Sequence, residues 1–295
     1  LDPPDPSQLL AVVNLQDNPS LLPEYIAQEA ATTFNLSTDY ALRAKLFVLG
    51  ATEHVLSITL HHHAFDGLSI PTLTRDLIHL YQDAILSQDG SLAPLPFQYS
   101  DWAAWQKNFL ETPRPSNQTL LDKKIDRARK RLLSMPDSLG LKTDYPRGVA
   151  GRQRLAGSLP LALGQSVRTN IEALARSQST TAFTVVLSCY AFALSMIADL
   201  NEVVIGSTVA GRRLIEADSL IGYFSNTLVF PIHVQPELKI STWIDDVRQL
   251  VEAVMQDEDL PFEKLVERVK STRSLSQTPL FQASLSFQNQ GEISQ

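Results

Sequence analysis

The sequence is poor in cysteine and carries no excess of positive charge. Its 295 residues include one cysteine, Cys189. Neither a disulfide framework nor a cysteine-based zinc site can therefore form, and a reducing, cytoplasmic location is predicted. The formal net charge of -7 argues against nucleic acid and anionic membranes as partners. The sequence also has no Gly-rich phosphate loop and no paired-carboxylate metal motif, so we expect no intrinsic cofactor and no metal ion.

A hydrophobic run long enough to cross a bilayer comfortably is also missing. Residues 182–198 are apolar and uncharged, but they include hydroxyl side chains and fall short of that length. This segment predicts a buried core helix, with Cys189 as an inert core residue, and no membrane segment. The chain begins at Leu1 without a methionine or a signal peptide, which indicates an excised or processed fragment.

The chain is longer than a usual single-core domain, so two units are expected. Residues 136–157 are rich in proline and glycine and have no stable periodicity. We place the boundary there, between an N-terminal lobe of residues 1–145 and a C-terminal lobe of residues 146–295. Helices are predicted near residues 20–34, 70–86, 99–110, 118–134, 163–177, 181–198 and 241–256, and strands near residues 41–49, 55–61, 203–207, 227–234 and 281–287. This alternation in both halves predicts an α/β fold with helices covering mixed sheets.

The most informative segment is HHHAFDG, residues 61–67, which follows an apolar, β-branched run. The alternation of that run predicts a strand whose buried face continues to His62. An imidazole projecting there can take a proton from a hydroxyl or an amine. We expect Asp66 to form an ion pair that holds the turn after the strand. Gly67 is expected to permit a backbone geometry or a close approach that a β-carbon would block.

Taken alone, this pattern also suits a buried core histidine or a metal site. The metal site is the weaker alternative. In an extended strand His61 and His63 share one face and His62 takes the other, so the three imidazoles do not converge as tetrahedral ligands must.

Several segments, in order, resemble the motifs of one family along nearly the whole chain. They are HHHAFDG (61–67), YSDWAAWQ (99–106), VIGSTVAGR (204–212), IGYFSNTL (221–228), DLPFE (259–263) and RSLSQTPLFQ (273–282). This ordered set resembles the condensation domains of nonribosomal peptide synthetases, which have a chloramphenicol-acetyltransferase-like fold. The resemblance implies two such lobes in a V shape, both incomplete in this chain, with a tunnel between them for the phosphopantetheine arms of carrier proteins.

The resemblance also implies roles for individual residues of the HHHAFDG motif. His62 corresponds to the catalytic histidine, and His61 to the supporting first histidine. Asp66 corresponds to a structural acid paired with an arginine of the second lobe, for which Arg212 is the candidate. Gly67 completes the motif.

Other motifs supply further candidates. Asn226 is expected to satisfy backbone groups at a junction between the lobes. Ser225, Thr227 and Trp102 are candidate residues of the substrate tunnel, and Trp102 also suits a role as a packing anchor.

The function implied by the resemblance is formation of an amide bond between a carrier-bound acyl or peptidyl thioester and a carrier-bound aminoacyl acceptor. The partners would be upstream and downstream peptidyl carrier proteins, which hold the substrates on 4'-phosphopantetheine, and a neighbouring adenylation domain. Alternatives are epimerisation, ester-forming or CoA-dependent acyl transfer, and a noncatalytic docking module. The intact His62, Asp66 and Gly67 argue against a noncatalytic module. The pair His61 and His62 argues against cyclisation domains, which usually carry aspartate there.

Overall fold

The computed structural model describes residues 9–88, 90, 92–115, 117–142, 144, 157–269 and 279–288. The chain divides into unit 1, residues 1–102 and 212–224, and unit 2, residues 103–211 and 225–295. The predicted boundary between residues 145 and 146 lies outside the described residues. The division into lobes 1–145 and 146–295 therefore stays a prediction.

Unit 1 contains a three-stranded sheet and two longer helices. Its elements are β1 (Leu10–Asn14), α1 (Leu22–Ala31), β2 (Leu42–Val48), β3 (His54–Leu60) and α2 (Ser69–Ile85), with 3-10 turns at Pro19–Leu21 and Ile215–Ser219. The sheet order is β1-β2-β3, with β1 parallel and β3 antiparallel to β2. Leu42 pairs with Leu60 at the end of the β2–β3 ladder. The histidine motif therefore begins where the sheet ends.

A buried acid joins α1 to β2 beside this sheet end. Glu29 of α1 is 5% exposed and forms ion pairs with Arg43, at 2.6 Å, and with Lys45. Arg43 also donates to the carbonyl oxygen of Thr32 at 2.7 Å. The hydrogen bond from Lys45 outweighs desolvation, so the pKa of the Glu29 carboxyl lies below its ordinary value. This ionised group fixes the helix against the strand that pairs with β3.

Unit 2 contains the second sheet and most of the helices. Its elements are most of α3 (Tyr99–Glu111), then α4 (Leu120–Leu132), α5 (Gln165–Ser177), α6 (Ala182–Ala198), β4 (Glu202–Val209), β5 (Asn226–His233), α7 (Ile240–Met255), α8 (Phe262–Val269) and β6 (Ala283–Ser284). The sheet order is β5-β4-β6, with β5 antiparallel and β6 parallel to β4.

Helices cover both faces of this second sheet. Side chains of a strand alternate between faces, and Val203 and Ile205 pack with buried residues of α6 and α7. Val204, on the opposite face, packs with buried residues of α4 and α8. The predicted fold class, mixed sheets covered by helices, is confirmed.

Most predicted elements are present within a few residues of their expected ends, but the last strand is not. Only Ala283–Ser284 of the predicted strand 281–287 is extended and paired. Two elements, β1 and α8, were not predicted. The motif segment 273–278 lies outside the described residues.

The prediction that Cys189 is a core residue is wrong, because it lies on the exposed side of α6. Leu187 and Ala191 of the same helix are buried, whereas Met196 is 66% exposed.

Within the described residues no single helix has the length and apolarity to cross a membrane. The helices α5 and α6 pass that test only as a pair, which is bent by 108°.

Candidate active site

The histidine motif begins at the end of β3. The N–H of His61 donates to the carbonyl oxygen of Ala41 at 2.9 Å, and the chain then turns, with Ala64 N–H donating to His61 O at 3.1 Å. His62 lies in this turn and is exposed. The prediction that His62 extends the buried strand face is wrong, because the strand alternation ends at Leu60.

His61 and His63 form a pair. Their Nδ1 atoms are 2.7 Å apart, and the backbone N–H of His63 donates to His61 Nδ1 at 3.2 Å. Since His61 Nδ1 accepts from the backbone, the shared hydrogen belongs to His63 Nδ1. Phe34 packs edge-on against His61 at 5.7 Å between ring centroids, and the Arg43 guanidinium lies 3.8 Å over the Phe34 ring. His61 is thus held from two sides.

His62 is held differently. Its ring meets that of Tyr223 at 5.2 Å and 90°, which is the T-shaped arrangement that aromatic rings prefer. Among the described residues, no hydrogen bond reaches the His62 imidazole. Both ring nitrogens can therefore be offered to a substrate. No group of three or more His, Cys, Asp or Glu side chains suited to a metal ion is found in the described part of the chain.

Asp66 is buried at 1% exposure and is closely surrounded by donors. Arg212 Nη2 donates to Asp66 Oδ1 at 3.1 Å, the Ser69 hydroxyl lies 3.0 Å from the same oxygen, and Phe224 N–H donates to Oδ2 at 2.9 Å. Burial opposes ionisation of Asp66, but these hydrogen bonds outweigh it and hold the pKa of the carboxyl below its ordinary value. Asp66 is therefore an ionised structural acid.

Arg212 organises the segment that follows it. Its Nη1 donates to the carbonyl oxygens of Ala217 and Leu220, the second at 2.9 Å. Its guanidinium lies 4.1 Å over the Phe224 ring. Asp66 and Arg212 both belong to unit 1. The predicted role of Arg212 between the lobes depends on the lobe boundary and stays a prediction.

The backbone of residues 222–224 is anchored at each residue. Gly222 N–H donates to the Ser69 hydroxyl oxygen at 3.2 Å, and the Tyr99 hydroxyl donates to Tyr223 O at 2.7 Å. Phe224 N–H is the donor to Asp66 described above. Burial raises the pKa of Tyr99, so this phenol stays protonated and keeps donating.

Gly67 does not have the backbone geometry expected from its sequence position. Its φ lies outside the left-handed range, and a β-carbon built on it would meet no atom within 4 Å. The predicted need for a special backbone geometry is wrong, and no described protein atom approaches Gly67 closely enough to exclude a β-carbon. A close approach by a substrate at Gly67 stays a prediction. Gly222, in contrast, is a glycine that packing requires, because its β-carbon would lie 2.3 Å from the Tyr99 ring.

Trp102 lies in an aromatic cluster of unit 1. Its ring is 4.7 Å from that of Phe224 and 5.6 Å from that of Tyr99, and these rings pack on the buried Ala217 and Leu220. This placement supports a packing role for Trp102. Its candidacy as a tunnel residue stays a prediction.

Asn226 opens β5 in unit 2 and satisfies four backbone groups. Its Nδ2 donates to Glu258 O and Leu260 O, both at 2.7 Å. Its Oδ1 accepts from Thr227 N–H at 2.9 Å and from Phe262 N–H at 3.2 Å. The expected satisfaction of backbone groups is present. Thr227 N–H belongs to β5 itself, and the other three groups belong to the connection between α7 and α8 or to the first residue of α8.

The remaining tunnel candidates, Ser225 and Thr227, are half-buried residues of unit 2. Thr227 lines a cavity of about 20 Å³ together with Leu228, Val254 and Leu260. That volume holds about one water molecule. The tunnel roles of both residues stay predictions.

Two residues of this site were missed by sequence reasoning. Ser69 lies three residues after Asp66, a spacing at which a hydroxyl and a carboxylate often share a turn, and this signal was available. Tyr223 occupies a position between motif residues, and only the three-dimensional contact with His62 identifies it.

Known proteins similar to this chain are multidomain synthetases. The beauvericin nonribosomal cyclodepsipeptide synthetase of Gibberella fujikuroi is 32% identical over 292 residues, covering 97% of this chain and 9% of that protein. A dimodular nonribosomal peptide synthase of Bacillus subtilis is 34% identical over 268 residues, covering 91% of this chain and 11% of that protein. This chain spans about a tenth of the length of these two relatives.

A solved structure and a family model agree with these relatives. The complex of the X-domain and OxyB from teicoplanin biosynthesis contains a chain with a TM-score of 0.85 and 26% identity, and the match covers 93% of this chain and 59% of that one. The family model described as Condensation domain matches residues 8–295. This chain belongs to the condensation-domain family of nonribosomal peptide synthetases.

Proposed function

We propose that this chain forms an amide bond between two substrates held on carrier proteins. The observation that carries the proposal is the exposed His62 imidazole, whose nitrogens are bonded to no described residue and whose ring is held by Tyr223. A general base or a hydrogen-bond acceptor for an amine needs a free nitrogen in a fixed place.

In the proposed reaction the acceptor amine attacks the carbonyl carbon of the donor thioester. A C–N bond forms, the C–S bond breaks, and the proton lost by the amine ends on the released phosphopantetheine thiol. His62 acts as the base, or holds the amine by a hydrogen bond during the attack. Because the thioester is already activated, alignment of two tethered substrates supplies much of the acceleration.

Asp66 has a structural part in this proposal. A carboxylate that is buried, ionised and paired with a guanidinium is a poor base. Its hydrogen bonds to Arg212 and to Phe224 N–H support the turn that presents His62. His61 would support the same turn through its contacts with His63 and Phe34.

The substrates would arrive on the 4'-phosphopantetheine groups of an upstream and a downstream peptidyl carrier protein. An adenylation domain of the same multidomain chain would load them. The likeness to multidomain synthetases supports these partners. The cytoplasmic location stays a prediction.

Two other functions have support from the relatives. A depsipeptide contains ester bonds as well as amide bonds, so the likeness to a cyclodepsipeptide synthetase favours ester formation as a sibling activity. The likeness to an X-domain in complex with OxyB favours a docking module that recruits another enzyme. The relatives reported above give no comparable support to epimerisation or to CoA-dependent transfer.

The test is His62→Ala in the full chain. Loss of a general base costs roughly 10²- to 10⁴-fold, so peptide transfer between two loaded carrier proteins, followed by mass spectrometry, should slow by that factor. The matched control is His54→Ala, which removes an exposed imidazole at the other end of β3 and should leave the rate unchanged. Thermal melting checks that both variants fold. A wild-type rate for His62→Ala would contradict the catalytic assignment.

A further inference from the structure

The contact between Tyr223 and His62 depends on a backbone that is unusually well anchored. Gly222, Tyr223 and Phe224 are each bonded to a different side chain, respectively Ser69, Tyr99 and Asp66. Gly222 also lies so close to the Tyr99 ring that no larger residue fits there. The Cα atom of Tyr223 is therefore fixed in unit 1.

His62, in contrast, receives no hydrogen bond from the described residues that would orient its ring. In the described part of the chain its side chain is contacted by the Tyr223 ring, at 5.2 Å and 90°, and by no hydrogen-bonding group. A histidine held through one nitrogen would have only the other available for a substrate. A ring contact orients the imidazole without using either nitrogen.

We propose that Tyr223 is a positioning residue for His62, acting through its aromatic ring to select the one orientation in which the imidazole meets the substrate amine. This inference rests on the proposed function, since it assigns a cause to the orientation of the proposed catalytic group. It also assigns a role in positioning His62 to the Asp66–Arg212 pair. The pair fixes residues 222–224, and these residues fix His62.

The size of the expected effect follows from side-chain rotation. A histidine has about three staggered χ1 positions and roughly two-fold freedom at χ2. Loss of the contact with Tyr223 spreads the imidazole over about six orientations, of which one is productive. Misplacement by about 1 Å raises the loss to roughly 10²-fold. We therefore expect Tyr223→Leu to lower kcat by about 5- to 100-fold and to leave the KM for both carrier proteins within about twofold.

Two variants separate a positioning role from a general structural role. Tyr223→Phe keeps the ring and should restore most of the rate. Tyr25→Leu is the matched control, because Tyr25 is also half-buried in unit 1 and makes a T-shaped contact with Phe47 at 6.0 Å. That variant should keep the wild-type kcat even if its melting temperature falls.

A double-variant cycle in the full chain completes the test, with single-turnover transfer between loaded carrier proteins as the readout. If Tyr223 acts through His62, Tyr223→Leu should slow the His62→Ala variant by less than about twofold. A full additional loss in that background would overturn the inference. A wild-type kcat for Tyr223→Leu, or a Tyr223→Phe variant as slow as Tyr223→Leu, would also overturn it. A wild-type rate for His62→Ala itself would instead overturn the proposed catalytic role on which the inference rests.

Discussion

Asp66 is a buried charge that joins two segments of unit 1, 146 residues apart at its bond to Arg212. Its replacement by alanine or asparagine leaves the Arg212 side chain, only 2% exposed, without a counter-ion. Breaking a buried pair costs about 3–5 kcal/mol, and thermal melts of Asp66→Ala and Asp66→Asn should show this loss. Asp17→Asn, at an exposed aspartate of the same unit whose carboxylate bonds to no described residue, should melt like the wild type. If Asp66→Asn does so too, Asp66 is not structural.

The contribution of Asp66 also depends on pH. Although burial opposes ionisation, hydrogen bonds keep the pKa of folded Asp66 below 3.8, its ordinary value. The stabilisation is therefore complete well above that value, begins to decrease as the pH approaches it, and is lost as the pH falls through the folded pKa. The difference in unfolding free energy between the wild type and Asp66→Asn should shrink as the pH is lowered below about 5. If the free-energy difference between the two proteins instead grows as the pH falls, the pKa of folded Asp66 is not lowered.

Replacement by alanine should affect two motif glycines differently: Gly222→Ala should lower stability, whereas Gly67→Ala should lower the transfer rate. Gly222→Ala drives a β-carbon into the Tyr99 ring, which is bonded to Tyr223 O, and overpacking of this kind costs about 1–3 kcal/mol. Gly67→Ala meets open space and should change stability by less than about 1 kcal/mol. The added β-carbon would obstruct the predicted close approach of a substrate at Gly67, so we expect Gly67→Ala to slow carrier-to-carrier transfer without lowering the melting temperature. Equal destabilisation by both variants would contradict this distinction.

Single residues could be predicted where a motif carries chemistry. Asp66 and Arg212 were paired from motif positions, and the structure brings them together at 3.1 Å. Tyr223 was missed because its importance comes from a contact with His62 across a long sequence separation. Ser69 was missed although its spacing from Asp66 offered a local signal; its bond to Gly222 is not visible in the sequence. Gly67 was misassigned because a glycine in a motif suggests a backbone need that the local φ does not show.

At the level of helices and strands, Asn226 joins β5 to the connection between α7 and α8. Asn226→Ala leaves the carbonyl groups of Glu258 and Leu260 without this donor, at about 1–3 kcal/mol for each group left unsatisfied. Asn226→Asp should cost more at neutral pH, because a carboxylate oxygen then faces those two carbonyls. The additional destabilisation of Asn226→Asp over Asn226→Ala should become smaller at acidic pH, where the protonated carboxyl can donate a hydrogen bond. Denaturant unfolding measures both effects.

The control for this prediction is Asn201→Ala, which removes the side chain of an exposed asparagine in the same unit. It should leave the unfolding transition unchanged. Asn226→Asp as stable as the wild type at neutral pH would show that Nδ2 does not hold this connection.

Helices and strands could be predicted where one face of the element is apolar and the other is polar. The pair β2–β3 was expected from alternation and is present, but β1 was missed because most of its residues are exposed and its two faces show little contrast. The helix α8 has only eight residues, which is too short for a helical period to stand out. Whether Cys189 lies on the buried or the exposed face of α6 could not be predicted, because the helix is apolar on all its faces.

At the scale of the whole molecule, the fold class followed from the alternation of strands and helices, but the grouping of segments did not. Residues 212–224 belong to unit 1 although they are far from its other residues in the sequence. Their attachment depends on Arg212 and on the anchored residues 222–224. Grouping of this kind is decided by tertiary hydrogen bonds that local patterns do not contain.

The whole-molecule prediction concerns the source of chemical energy. A thioester donor is already activated, so its attack by an amine needs neither phosphoryl transfer nor a metal ion. We expect carrier proteins loaded beforehand to yield product at the same rate with ATP omitted and with a metal chelator present. Free acceptor amino acid should not replace the loaded acceptor carrier, because tethering supplies the alignment. His62→Ala with the same loaded carriers gives the background. Turnover that required ATP or a divalent metal would overturn the condensation proposal and favour a ligase.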